Sequence, residues 1–215
     1  MSQAIVHGLC EVIERKCLSD LCRYPENYFR KKVILGTIQN DNICTLLERF
    51  FKAKISVAIW DITSDISIPS FICKVIDASE LYSANVRPAY GSASHPIKEI
   101  ALRKAITEAA QSRLTFISGL RDDQTRDVYE KFYDESVSSS WAEEILAPSF
   151  LDYNSVQDAP FKSANLMLEY CLGALSAAGY NQVVSVDLSK SEFGIPVTKI
   201  LVPGLSGISE LQSMG

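Results

Sequence analysis

Apolar residues return at helical spacing from the start of the chain: Ile5, Leu9, Val12 and Ile13 recur every three or four positions, with Gly8 as an interior breaker. This predicts a helix from about Ser2 to Arg23, ended at Tyr24-Pro25 because the residue before proline avoids helical angles. A second, shorter helix is expected over 41–54, with Asp41 as its N-cap. The period then changes. Residues 55–62 and 68–77 are rich in β-branched and aromatic side chains, and the polar linker 63–67 joins them as a hairpin. Residues 90–96, Tyr-Gly-Ser-Ala-Ser-His-Pro, read as a turn into the longest helix, from Pro96 to Ser118, closed by Gly119. A polar helical stretch over 122–135 follows, then a serine-rich loop at 137–141 and a helix over 161–178. Two strand-like runs, 181–189 and 196–203, complete the pattern. Helices and strands cluster rather than alternate, so the expected class is α+β, with helices packed on antiparallel strands in a single domain over 1–215.

Composition narrows the classes of function. At 215 residues, 47% hydrophobic and 22% charged, the chain can bury a full core, which excludes wholesale disorder. The net charge of -5 makes it a poor general binder of nucleic acid, whose affinity rests on neutralised phosphates. No apolar run reaches the ~18 residues of a membrane span, and Glu11 and Glu14 interrupt the first apolar segment, so neither a secretory leader nor an anchor is expected. The six cysteines form no Cys-x-x-Cys pair and read as reduced thiols of a cytoplasmic protein.

Candidate chemistry gathers at three places. On the first helix, His7, Glu11 and Glu14 share one stripe. Two carboxylates a turn apart suit a magnesium ion that also keeps waters and phosphates. With His7 added, the set resembles a carboxylate-bridged iron site, and Glu11 with Arg15 reads equally as an exposed i,i+4 ion pair. On the long helix, Lys104, Glu108 and Gln111 lie together opposite the apolar stripe, where Lys104 and Glu108 also fit a solvated i,i+4 pair. Glu99 lies nine residues from Glu108, about half a turn out of phase in a straight helix. Glu99 and Arg113 fall at the margin of the apolar stripe, where a charge needs a partner. Ser92, Ser94 and His95, just ahead of that helix, suit either a phosphate or an ordinary cap turn. There is no GxxxxGK[ST], GxGxxG or GxSxG.

Four segments taken together (4–16, 55–77, 91–123 and 195–205) resemble the YcaO family in order and rough spacing over almost the whole chain. The third is the most specific, and the Glu-x-x-Glu-Arg of the first supports it. The resemblance implies a YcaO-like fold that uses ATP and magnesium to phosphorylate a peptide amide oxygen, giving azolines by cyclodehydration or thioamides. It implies Glu11, Glu14 and Glu99 as metal carboxylates, and Ser92, His95, Glu108, Gln111, Arg113 and Lys199 as nucleotide-binding residues. His95 stands where the family often has Asn, and Lys199 where Arg is common. The family's preceding segment, with a Lys and a Ser on the phosphates, is expected to lie outside this sequence. A second polypeptide or an oligomer would complete the site on a peptide or protein substrate. The alternative reading is an inactive family member that serves as a scaffold.

Overall fold

The computed structural model describes residues 1–77, 89–118, 135–159 and 161–205. Its helices are α1 (Ser2–Arg23), α2 (Asp41–Lys52), α3 (Lys98–Ser118), α4 (Glu135–Leu146) and α5 (Ala164–Ala177). Its strands are β1 (Ile55–Asp61), β2 (Ser70–Asp77), β3 (Ala89–Ser94), β4 (Val184–Asp187) and β5 (Thr198–Leu201). The first three strands form an antiparallel sheet in the order β1-β2-β3, and β4 pairs with β5 in a separate antiparallel ribbon.

The main sheet is covered on both faces. Val57, Ile59, Phe71, Cys73, Val75 and Ala93 pack against Ile43, Leu47 and Phe50 of α2 and Leu102, Ala105 and Ile106 of α3. Their neighbours of opposite parity, Ala58, Trp60, Ile72 and Ile76, join Leu9, Ile13 and Cys17 of α1 and Cys171 and Leu175 of α5. A strand buried on both sides needs few polar positions, which explains the nearly unbroken apolar run of β1.

Several expected elements shift. The first helix forms over the expected residues. Asn40, not Asp41, caps α2: its side chain accepts the Ile43 N–H at 3.1 Å. α3 begins at Lys98, after Pro96, and α5 begins at Ala164 under a Ser163 cap. The helical stretch expected from 122 and the Gly119 stop lie outside the described residues, apart from Glu135.

Two readings are corrected. The supposed turn at 90–96 contains most of β3, which pairs with β2 from Ala89 to Ser94. Its glycine and serines imitate turn chemistry, yet Ser94 Oγ is buried against Ser70 Oγ at 2.5 Å. The supposed serine-rich loop at 137–141 lies within α4. Local propensity loses there to distant partners. The buried Lys32 ammonium donates to the α4 carbonyl of Ile145 at 2.6 Å and that of Glu144 at 3.1 Å, and Ile145 packs in the core.

Candidate functional site

β3 is the edge of the main sheet, and α3 lies directly on it. The close approach depends on small residues. Gly91 of β3 faces Ala105 and Ala109 of α3, and a Cβ at residue 91 would stand 2.2 Å from the Ala109 nitrogen and 2.5 Å from the Ala105 carbonyl oxygen. One residue further along β3, the Ser92 N–H is left free by the strand ladder and donates to Glu108 Oε2 at 3.1 Å. The Ser92 hydroxyl donates to Glu14 Oε1 of α1 at 2.6 Å. A single buried serine therefore ties together carboxylates from two helices that are 94 positions apart in sequence, Glu14 and Glu108.

These groups open into a cavity of about 350 Å³, lined also by Glu11, Arg15, Lys104 and Gln111, with His7, Cys10 and Thr107 at its wall. Burial raises the Glu14 carboxyl to about 7, opposed by the Ser92 hydrogen bond and reinforced by the charges of Glu108 and Glu11. Burial also raises Glu108, with the Ser92 N–H opposing and the Glu11 charge adding to it. Glu11 is half-exposed at the rim and accepts from Arg15 at 2.8 and 3.1 Å.

Not every expected site residue faces this cavity. Glu11, Glu14, Ser92, Glu108 and Gln111 line it; His95, Glu99, Arg113 and Lys199 do not. Because α3 runs unbroken from Lys98 to Ser118, the half-turn offset from Glu108 keeps Glu99 exposed and outside. Arg113 Nη2 instead donates to Asp77 Oδ2 at 3.2 Å. His95 is pushed down to about 4 by burial and then by the Lys104 charge, and its Nδ1 accepts the Ile97 N–H at 3.0 Å. Lys199 is exposed on β5. Lys104, grouped with Glu108 and Gln111 by helical phase, does line the cavity, and Cys10 was reachable the same way, four residues before Glu14 on α1.

The donor set fits magnesium with phosphate and does not fit a protein-only cage. No group of three or more His, Cys, Asp or Glu able to hold a metal occurs among the described residues, which corrects the reading of His7, Glu11 and Glu14 as an iron site. Magnesium needs only one or two carboxylates when phosphates and water complete its shell. Glu14 and Glu108 supply two, both tied to Ser92 at the cavity wall.

The upward shift at Glu14 has a stability consequence. Glu14 binds its proton more tightly folded than unfolded, so its contribution is fully present below about pH 4.5 and is lost as pH rises through about 7. At ~1.4 kcal/mol per pKa unit, the loss is about 3 kcal/mol. Urea unfolding at pH 4.5 and 7.5 without metal is expected to show this fall in the wild type and a much smaller one in Glu14→Gln. Equal falls in the two proteins would contradict the assignment.

Beside the cavity lies an apolar groove of about 570 Å³ formed by Trp60, Trp141, Tyr90 and Phe29. Tyr90 stands on β3 two residues before Ser92, with its ring 6.0 Å from that of Trp141. At the groove rim Lys74 pairs with Glu144 and lies over Trp141 at 4.5 Å. No helix among the described residues is long and apolar enough to cross a membrane.

Comparison with known proteins identifies the family and the fold. The family model described as YcaO cyclodehydratase, binding ATP and Mg2+, matches residues 1–206. An uncharacterised protein of Methanothermobacter thermautotrophicus is 34% identical over 215 residues, covering 96% of this chain and 53% of its own. A heterocyclase solved in complex with substrate and cofactor superposes with a TM-score of 0.77 at 19% identity, over 97% of this chain and 27% of that one. The YcaO protein of Methanopyrus kandleri, bound with AMPPCP and Mg2+, gives 0.68 at 16% identity, over 99% of this chain and 54% of its own. The chain spans about half the length of the curated relatives it matches over most of its own length.

Proposed function

Since the chain belongs to the YcaO family, a family that binds ATP and Mg2+, we propose that it takes part in ATP-dependent modification of a peptide backbone. The observation that carries this reading is the Ser92 clasp, which brings Glu14 and Glu108 together at one cavity. In the proposed site Glu14 and Glu108 would hold the magnesium, with Glu11 at the rim and Gln111 lining the space left for the phosphates. The bound metal would neutralise phosphate charge, leaving the protein chiefly the task of positioning. Arg113, His95, Glu99 and Lys199 then act outside this cavity, as supports or in contacts with a further chain.

The chemistry follows from the reactants. The amide oxygen bonds to the γ-phosphorus as the bond to the β,γ-bridging oxygen breaks and ADP leaves. A Cys, Ser or Thr side chain, or a sulfur donor, then adds at the activated carbon. In the cyclising case the carbonyl oxygen departs within inorganic phosphate, and a proton is released. The apolar groove that adjoins the cavity at Tyr90 supports a peptide or protein acceptor, because side chains flanking the reacting amide find apolar cover there. Six thiols and no disulfide support action in the reducing cytoplasm. Exposed apolar surface at that groove supports assembly with a second copy or a second polypeptide.

Transfer of the amide oxygen is directly measurable. Peptides containing Cys, Ser or Thr and labelled with heavy oxygen at the backbone carbonyl are incubated with the full chain, ATP and Mg2+. The expected product is labelled inorganic phosphate. Phosphate labelled only by heavy-oxygen water would show simple ATP hydrolysis and contradict the reading.

A further inference from the structure

We propose that Lys104 is the phosphate-contacting cation of this cavity and grips the terminal phosphates of the nucleotide; the inference rests on the nucleotide reading above and adds a residue to it. Three observations lead there.

The first is an ion pair that does not form. Lys104 and Glu108 are four residues apart on α3, a spacing at which opposite charges ordinarily meet. Glu108 turns instead to the Ser92 N–H. Among the described residues the Lys104 ammonium makes no hydrogen bond and no ion pair within 4.0 Å, although the side chain lines the cavity and the residue is partly buried. Partly buried ammonium groups need an anion or water on their donors, and all three N–H donors of Lys104 are unspent on the protein.

The second is the pairing of the neighbouring cation. Arg15 spends Nε and Nη2 on Glu11. His95 stands outside the cavity with Nδ1 already used by the Ile97 N–H. Arg15 is exposed and already paired with Glu11, so Lys104 is the lysine or arginine of the cavity lining whose side chain has no protein partner among the described residues.

The third is charge. Glu11, Glu14 and Glu108 bring three negative charges to the cavity, and Arg15 and Lys104 bring two positive ones. One magnesium ion makes the sum positive by one, which suits a polyphosphate. Without Lys104 the sum is zero, and attraction for the phosphates falls away. A lysine serves such a site as a point charge on a flexible stem, a role that suits phosphate without bidentate geometry.

The test measures equilibrium affinity of the full chain for AMPPCP, ADP and AMP, each with Mg2+, for wild type, Lys104→Met and Lys104→Arg. Urea midpoints first establish that the variants fold. The account expects Lys104→Met to weaken AMPPCP by about tenfold or more, to weaken AMP little, and Lys104→Arg to recover much of the loss. Raising the salt concentration should cost the wild type more AMPPCP affinity than it costs Lys104→Met. Wild-type-like AMPPCP binding by Lys104→Met overturns the role of Lys104 while leaving the nucleotide reading intact. Equal losses for AMPPCP and AMP overturn it too, as a defect in general shape. A wild type that binds none of the three overturns the nucleotide reading, and this inference with it.

Discussion

Replacing Gly91 with alanine is expected to cost the protein both its stability and its site. The added Cβ would sit against backbone that cannot swing away: 2.2 Å from the Ala109 nitrogen, 2.5 Å from the Ala105 carbonyl oxygen and 2.6 Å from the Glu108 carbonyl carbon. The first two atoms belong to successive turns of α3, so the methyl group wedges into the helix wall itself. Relief requires α3 to lift from β3. Ala101, Leu102, Ala105, Ile106 and Ala109 are all fully buried, so lifting opens the core. Overpacking of side chains alone costs about 1–3 kcal/mol, and a clash with backbone exceeds that range. A loss of about 3 kcal/mol lowers the melting temperature of a chain of this size by roughly 6–12 °C. Gly36→Ala is the control, because nothing lies within 4 Å of its Cβ position and the residue is exposed. Thermal unfolding of both variants checks the argument. A Gly91→Ala protein as stable as Gly36→Ala would show that α3 does not rest on β3 at this distance.

Removing either carboxylate of the Ser92 clasp is expected to weaken metal-dependent nucleotide binding severely while leaving the fold in place. Glu14→Gln and Glu108→Gln keep size and hydrogen-bonding capacity but lose the charge that a magnesium ion requires. Hard cations depend on anionic oxygen, and this cavity offers few alternatives: Glu11 is bonded to Arg15, and no three-ligand cage exists among the described residues. Each substitution is expected to weaken Mg2+-nucleotide binding by about a hundredfold, equivalent to about 2.8 kcal/mol. The double variant should lose far less than the sum of the two, because the carboxylates serve one ion. Glu14→Gln is expected to be at least as stable as wild type at pH 7.5 without metal, since it relieves a partly buried charge, and Glu108→Gln, at a more exposed position, to stay close to wild type. A falling affinity with stability held or rising separates loss of a site from loss of folding.

The sequence disclosed the helices best where periodicity ran long. α1 and most of α3 were legible because their apolar stripes persist over several turns. The hairpin of β1 and β2 was legible from β-branched content. β3 was not, because the features that suit it to its place are those of a turn. Gly91 is required by the α3 backbone, and Ser92 and Ser94 are buried by hydrogen bonds to partners outside the strand. α4 was hidden for a similar reason, with Lys32 more than a hundred residues away holding its last carbonyls. Half of the site could be read by helical phase. Glu11 with Glu14, and Lys104 with Glu108 and Gln111, share stripes, and the offset of Glu99 from Glu108 follows from the same arithmetic. What no single segment contains is the meeting of α1 with α3 through Ser92. That depends on the sheet lying between them, with β3 as its edge.

That meeting is the central claim, and calorimetric titration with Mg2+ and AMPPCP tests it most directly. Wild type, Glu14→Gln, Glu108→Gln and Glu99→Gln are compared at pH 7.5. The account predicts saturable binding by the wild type, near-wild-type binding by Glu99→Gln, and binding weakened about a hundredfold in Glu14→Gln and Glu108→Gln. Undiminished binding in those two variants, or loss in Glu99→Gln alone, would contradict it.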